Sequence, residues 1–142
     1  MATPLILADT SIFIEYLRKQ KKDRSILYQL TTRYRLATSV ITVYELFTGA
    51  ISPAHEQRVH DILFAVEILS LDKSAAEIAA RERLRLLELN RQFEIRDILI
   101  AGTAMRHNLA LATLNVKHFQ DFDLELVELP RKKITCPESN TI

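Results

Sequence analysis

Short, wholly apolar runs alternate along this chain with segments of helical spacing, and this alternation constrains the fold more than any other feature. Leu5-Ile6-Leu7-Ala8 stops at Asp9-Thr10-Ser11, after which Ile12, Phe13, Tyr16 and Leu17 recur at the spacing of a helix. Leu36-Ala37-Thr38 runs into Ser39, which caps a helix reaching Phe47 or Gly49. Val66 to Leu71 stops at Asp72, the cap of a long helix from Lys73 to about Leu89 with Ala75, Ala79, Leu86 and Leu89 on one stripe. Leu109 to Thr113 reads as a fourth strand and Leu124 to Leu129 as a fifth, ended by Pro130. Further helices are predicted over Ser25 to Arg33, from Ser52-Pro53 to about Phe64, and from Ile98 to His107 with Asp97 opening it. Strands without polar alternation need cover on both faces, so the pattern predicts an α/β domain with a mainly parallel sheet. In such sheets ligands bind at the carboxyl ends of the strands, near a reversal of strand order.

The length of 142 residues suits one domain, placed over 1–130, with a flexible polar tail over 131–142. A hydrophobic share of 48% and a charged share of 26% exclude general disorder, collagen-like repeats and coiled-coil bias. Cys136 is the sole cysteine, which excludes an intramolecular disulfide and a cysteine-based zinc site. The four histidines, His55, His60, His107 and His118, show no HExxH spacing. No apolar run approaches the ~18 to 20 residues of a membrane span, and Met1 to Asp9 is too short for a signal peptide. The expected compartment is therefore a reducing cytoplasm. A net charge of +1 singles out no partner, but residues 1–35 carry seven basic and three acidic side chains. Within them, Arg18, Lys19, Lys21, Lys22 and Arg24 form either a solvated surface or a patch that faces phosphate.

Three acidic residues are oddly placed. Asp9 directly follows the first buried strand, Glu45 lies in a mostly apolar helix after the second, and Asp97 opens a helix rich in small and apolar residues. Asn115 follows the fourth strand in the same manner as Asp9 follows the first. A parallel sheet places Asp9, the start of the Glu45 helix and Asn115 on one edge. Helix capping also accounts for Asp9 and Asp97. On a helical wheel, Glu45 falls opposite the Val40–Tyr44–Phe47–Ile51 stripe, on the side expected to face solvent. Asp97 shares its face with Ala101, Ala104 and Asn108, which implies burial, and a buried carboxylate needs hydrogen bonds or a metal. If these groups converge, the hard oxygen donors suit Mg²⁺ or Mn²⁺, and such an ion acts on phosphodiester-like substrates.

The segments LILADTSIFIEYLR, SVITVYELFTGA, IRDILIAGTAMRHNLALAT and TLNVKHF, in this order and spacing, resemble the PIN-domain ribonucleases, in particular the VapC-like toxins of prokaryotic toxin–antitoxin pairs. The resemblance covers roughly residues 4–129. It implies a three-layer α/β/α PIN-like domain around a mainly parallel central sheet. It also implies a Mg²⁺- or Mn²⁺-dependent endoribonuclease that leaves a 5′-phosphate and a 3′-hydroxyl. The family's acidic ligands fall on Asp9, Glu45 and Asp97, and its fourth position, often acidic, falls on Asn115. The position three residues on, acidic in similar proteins, is His118. Glu94 is a possible substitute carboxylate, or else an exposed residue at the start of the helix.

The hydroxyls of Thr10, Ser11 and Thr113 would support the ligands or make local caps. Arg18, Lys19 and Arg96 would hold the RNA backbone. The resemblance further implies a homodimer and a cognate antitoxin that inserts an Arg or Lys among the carboxylates. Gly102, where relatives tend to have Ala, is read as a point of close helix packing. Two other classes stay open: a PIN-like scaffold that binds RNA or protein without cutting, and a phospho-acceptor receiver-like domain. The second would use Asp72 after the third strand, although Asp9 is followed by Thr10 and not by a second acid.

Overall fold

The structure, a computed structural model, describes residues 3–130; the tail placed over 131–142, with Cys136, lies outside the described residues. The chain runs β1 (Leu5–Ala8), α1 (Thr10–Arg18), a 3₁₀ turn (Lys22–Arg24), α2 (Ile26–Thr31), β2 (Arg35–Ser39), α3 (Val40–Thr48) and α4 (Pro53–Phe64). It continues through β3 (Glu67–Leu69), α5 (Lys73–Glu88), α6 (Ile95–Arg106), β4 (Leu111–Ala112) and α7 (Val116–Phe119). The four strands form one parallel sheet in the order β3-β2-β1-β4. Leu7 stands opposite Ala37 on one side and Leu111 on the other.

Helices cover both faces of the sheet, as the apolar strands require. Along β1, Ile6 and Ala8 pack with Ile12, Phe13, Leu30 and Val59 from α1, α2 and α4, while Leu7 packs with Ala79, Leu86, Ala101 and Phe119 from α5, α6 and α7. This is the period-two alternation of a strand, with both sets buried. The expected α/β/α sandwich is therefore present. The chain moves outward from β1 to β2 to β3, then returns to place β4 on the far side of β1. The connections leaving β1 and β4 consequently diverge, and a crevice opens at their carboxyl ends.

Local chemistry sets the element ends. Side chains of Asp9, Ser25, Ser39, Ser52 and Asp72 accept backbone N–H bonds at the starts of α1 to α5. Asn90 and Asn108 adopt left-handed backbone (φ 53° each) just beyond α5 and α6. In both cases paired bonds close the helix: Arg91 N–H to Leu86 and Asn90 N–H to Leu87, then Leu109 N–H to Ala104 and Asn108 N–H to Met105.

Four sequence expectations are corrected. Asp97 does not open α6; the helix begins at Ile95 with Glu94 at the cap position, so Asp97 lies in the first turn. Leu124–Leu129 is no fifth strand but a single bridge, Leu111 with Leu126. β4 spans only Leu111–Ala112, and only Leu111 exchanges bonds with the last segment, donating to the Glu125 carbonyl (2.9 Å) and accepting from the Val127 N–H (2.8 Å). The α3 stripe is also different: Tyr44 and Ile51 are exposed, and Thr42 and Leu46 form the buried face. Glu45 is therefore next to the buried face and not opposite it. Leu89 is exposed too, beyond the end of α5.

Gly102 marks the contact of α5 with α6. A Cβ there would stand 2.8 Å from Ala79 Cβ and 2.9 Å from the Ala75 carbonyl oxygen, and neither neighbour can rotate away. Helix propensity alone would favour Ala by about 1 kcal/mol. Overpacking should outweigh it, so Gly102→Ala is expected to destabilise the domain by about 1–3 kcal/mol in urea unfolding.

A second tie is the buried Glu82. It receives two bonds from Arg85 (3.1 and 2.8 Å) and one from the Asp123 N–H (3.2 Å), while Arg85 also reaches the Asp121 carbonyl (2.6 Å). The Arg85 hydrogen bond, opposed by burial, holds the Glu82 carboxyl below its ordinary value. A lowered folded pKa stabilises above the ordinary carboxylate range, and that stability is lost as pH falls through it. Glu82→Gln should therefore lower the melting temperature at neutral pH, with the difference from the parent shrinking as the solution is acidified.

Candidate active site at the carboxyl edge of the sheet

The crevice between β1 and β4 widens into a cavity of about 490 Å³. Asp9, Glu45, Asp97 and Asn115, which belong to four separate segments, all line it. So do Thr10, Ser11, Arg18, Lys19, Arg96 and His118. Asp72 caps α5 through the Ala75 N–H (2.8 Å) and does not line the cavity, which removes the acid a phospho-acceptor plan needs there.

Asp9 is 3% exposed, at the point where β1 passes into α1. Its Oδ1 accepts the Ser11 N–H (3.0 Å) and the Ser11 hydroxyl, and its Oδ2 accepts the Thr113 hydroxyl. The two hydroxyls in turn accept N–H bonds from the segment after β4: Leu114 donates to Ser11 Oγ and Asn115 to Thr113 Oγ1, both at 2.9 Å. One carboxylate thus laces the ends of two strands together. None of its partners is a cation, and burial, partly offset by the Ser11 and Thr113 bonds, raises its pKa.

Glu45 projects from α3, its side chain 19% exposed. Oε1 accepts the Thr10 hydroxyl (2.8 Å), which lies 3.1 Å from Thr42 Oγ1, and Oε2 accepts from Arg96 Nη1 (3.1 Å). Arg96 is also paired with Glu94 (2.8 Å). The guanidinium expected to hold RNA is therefore engaged by two carboxylates of its own chain.

Asp97 is 7% exposed in the first turn of α6, where the helix dipole favours negative charge. Its Oδ2 lies 3.1 Å from His118 Nδ1. Burial raises its pKa, the His118 bond opposes that, and Glu94 adds to the rise. Glu94 itself stays at the surface, in its pair with Arg96. His118 is thus a site residue to which the sequence assigned no role, although its place three residues after Asn115, one turn along α7, was a usable signal. Thr42, fully buried beside Thr10, was missed because nothing local distinguishes it from a core threonine.

Asp9, Glu45, Asp97 and the Asn115 amide offer only hard oxygen donors. Among the described residues, no three His, Cys, Asp or Glu side chains are grouped closely enough to grip one ion together. That separation suits a hydrated divalent ion, since Mg²⁺ usually keeps several waters and takes one or two carboxylates. Asp9 and Asp97 are the donors without a Lys or Arg partner; Glu45 would have to give up Arg96.

Residues 6–124 match the PIN domain, and the chain belongs to the PIN domain family. It is 31% identical to Ribonuclease VapC10 of Mycobacterium tuberculosis over 119 residues, which cover 84% of this chain and 89% of that protein. Among solved structures it is similar to VapBC-1 from nontypeable Haemophilus influenzae (TM-score 0.75, 26% identity, 87% of this chain and 97% of that one). It is also similar to FitAcB from Neisseria gonorrhoeae (TM-score 0.74, 28% identity, 87% of this chain and 96% of that one).

The raised pKa of Asp9 has a consequence for stability. The folded state holds that proton more tightly than the unfolded chain, so ionisation works against folding. Stability falls as pH rises through the ordinary carboxylate range toward the raised value. An Asn side chain can still accept the Ser11 N–H without carrying charge. Asp9→Asn is accordingly expected to raise the melting temperature in metal-free neutral buffer, by more than it does in acid, as scanning calorimetry at the two pH values would show.

Proposed function

We propose that this protein is a metal-dependent endoribonuclease and the toxin of a toxin–antitoxin pair. The reading is carried by the convergence of Asp9, Glu45, Asp97 and Asn115 on one cavity at the switch point of a PIN domain. The names of its relatives support it: one is called a ribonuclease, and a similar solved structure is a toxin–antitoxin complex from Klebsiella pneumoniae.

Mg²⁺ or Mn²⁺ held by these donors would supply Lewis-acid polarisation of the phosphodiester and activation of water for attack. Asp9 and Asp97 are the principal holders, and their burial without a Lys or Arg partner favours a cation. Ser11 and Thr113 orient Asp9 through the bonds already described, and Thr10 orients Glu45. Arg96, once released from Glu45, offers a planar fork suited to a phosphate. His118, one bond from Asp97, fixes the direction of that carboxylate and takes the place of an acid. Arg18 and Lys19 at the rim of the cavity complete the contacts to the RNA backbone. A cognate antitoxin would cover the cavity with an Arg or Lys among the carboxylates. The protein would work as a homodimer in the cytoplasm, and no helix of the described residues is long and apolar enough to cross a membrane.

One observation favours a second reading, a PIN scaffold that binds without cutting. Glu45 is held by Arg96, and the position of a fourth acid carries Asn115 and His118. Incubating the antitoxin-free protein with labelled RNAs, tRNA included, in Mg²⁺, Mn²⁺ or EDTA separates the two. Cleavage in metal only, reduced at least about 100-fold by Asp97→Asn, is the expected result. Intact RNA in every metal would support the binding scaffold, and cleavage that survives both EDTA and Asp97→Asn would remove the carboxylates from the mechanism.

A further inference from the structure

The chain has two glycines, and only one is explained by packing. Gly102 is forced by the contact of α5 with α6. At Gly49, φ is −87°, which any residue adopts, and an added Cβ would meet nothing closer than the Leu46 and Glu45 carbonyl oxygens at 3.7 and 3.8 Å. Neither backbone conformation nor crowding demands glycine there. What the missing side chain leaves open is a second cavity of about 320 Å³ between α1, α3 and α4.

This cavity adjoins the carboxylate site, since Ile14, Arg18 and Glu45 line both. Its floor is aliphatic, from Ile14, Leu17 and Leu46, and its rim carries Arg18, Arg58 and His55. Among the described residues, neither Arg18 nor Arg58 forms an ion pair, whereas Arg96 next door forms two. The positive field extends further: after burial, the charge of Arg58 is the next cause that lowers the pKa of the Lys22 ammonium. An apolar slot with unpaired guanidiniums on its rim is complementary to a nucleotide, which has a flat base with an apolar face and a charged phosphate. The same charges disfavour a basic peptide segment.

We propose that this second cavity is a nucleotide subsite, which holds the base flanking the scissile phosphate of a single-stranded RNA against Ile14, Leu17 and Leu46, with the adjoining phosphate between Arg18 and Arg58. It rests on the nuclease reading for the location of the scissile phosphate. A base can enter such a slot only when it is unstacked, so the subsite selects single strands and loops over duplex. Gly49 keeps the slot open, and Arg58 and His55 add α4 to the substrate surface.

Fluorescence-anisotropy titration of the full chain in EDTA, where the RNA stays intact, tests this without metal or turnover. The probes are a labelled oligo(U) and a fully abasic ribose-phosphate oligomer of the same length. Gly49→Leu should weaken oligo(U) binding about tenfold and leave the abasic oligomer unaffected, because only the base is excluded. Arg58→Ala should weaken both and reduce the salt slope of binding by about one. Arg58 is exposed, so its variant folds even if Gly49→Leu loses its native circular dichroism. Unchanged affinity for oligo(U) in folded Gly49→Leu and Arg58→Ala overturns the subsite and leaves the cavity to a polypeptide partner. The two readings fail separately. The binding changes without metal-dependent cleavage by the parent sink the nuclease and keep the subsite. Cleavage by the parent with no binding change in either variant does the reverse.

Discussion

The placement of one buried carboxylate governs the functional edge of this domain. Asp9 sits where β1 ends, in a crevice that exists because β4 is laid on the opposite side of β1 from β2. Its two oxygens are satisfied by Ser11 and Thr113, whose hydroxyls receive the amides of Leu114 and Asn115. Two strand ends that would otherwise present unpaired amides are joined through a single side chain. Each of these bonds adds about 0.5–1.5 kcal/mol, so the lacing also holds the crevice in shape. The polypeptide after β4 is thereby directed so that Asn115 and His118 face the same cavity as Asp9.

The cavity is electrostatically unbalanced in an instructive way. Neutral hydroxyls and amides hold Asp9, a histidine faces Asp97, and only Glu45 has an arginine. Burial raises the carboxyl pKa of both Asp9 and Asp97, which means that the fold works against their charge. Elsewhere the same chain treats a buried carboxylate in the opposite manner: Glu82 has a bidentate arginine and a lowered pKa. The contrast separates a carboxylate that ties elements together from carboxylates left short of positive charge, and a shortage of this kind at a cleft is a mark of a functional site.

Much of this could be read from the residues. The wholly apolar runs at Leu5–Ala8 and Leu36–Thr38 are buried strands because both faces are covered, and the capping residues Asp9, Ser39, Ser52 and Asp72 start helices where local hydrogen bonding favours it. The short periods fail where tertiary packing decides. The Val40–Tyr44–Phe47–Ile51 spacing looked like the buried stripe of α3, but the helix is rotated so that Thr42 and Leu46 face inward. That rotation brings Glu45 to the cavity. Leu124–Leu129 had strand composition without a partner long enough to pair with.

The sequence by itself determined the layer architecture, because strand burial, helix capping and hydrophobic period are local properties that each segment carries with it, and it marked Asp9 and Asp97 as acids in unusual places. It also marked Gly102, since a glycine inside a helix of small residues has few causes other than close approach. What only the tertiary structure decided is how distant groups meet. The Arg96 bridge spans 51 residues to Glu45, the Thr113 bond spans 104 to Asp9, and His118 reaches Asp97 across 21. No local rule encodes those distances. They follow from the order in which the strands lie beside one another, and the meaning of Gly49 emerged only when the space beside it could be seen.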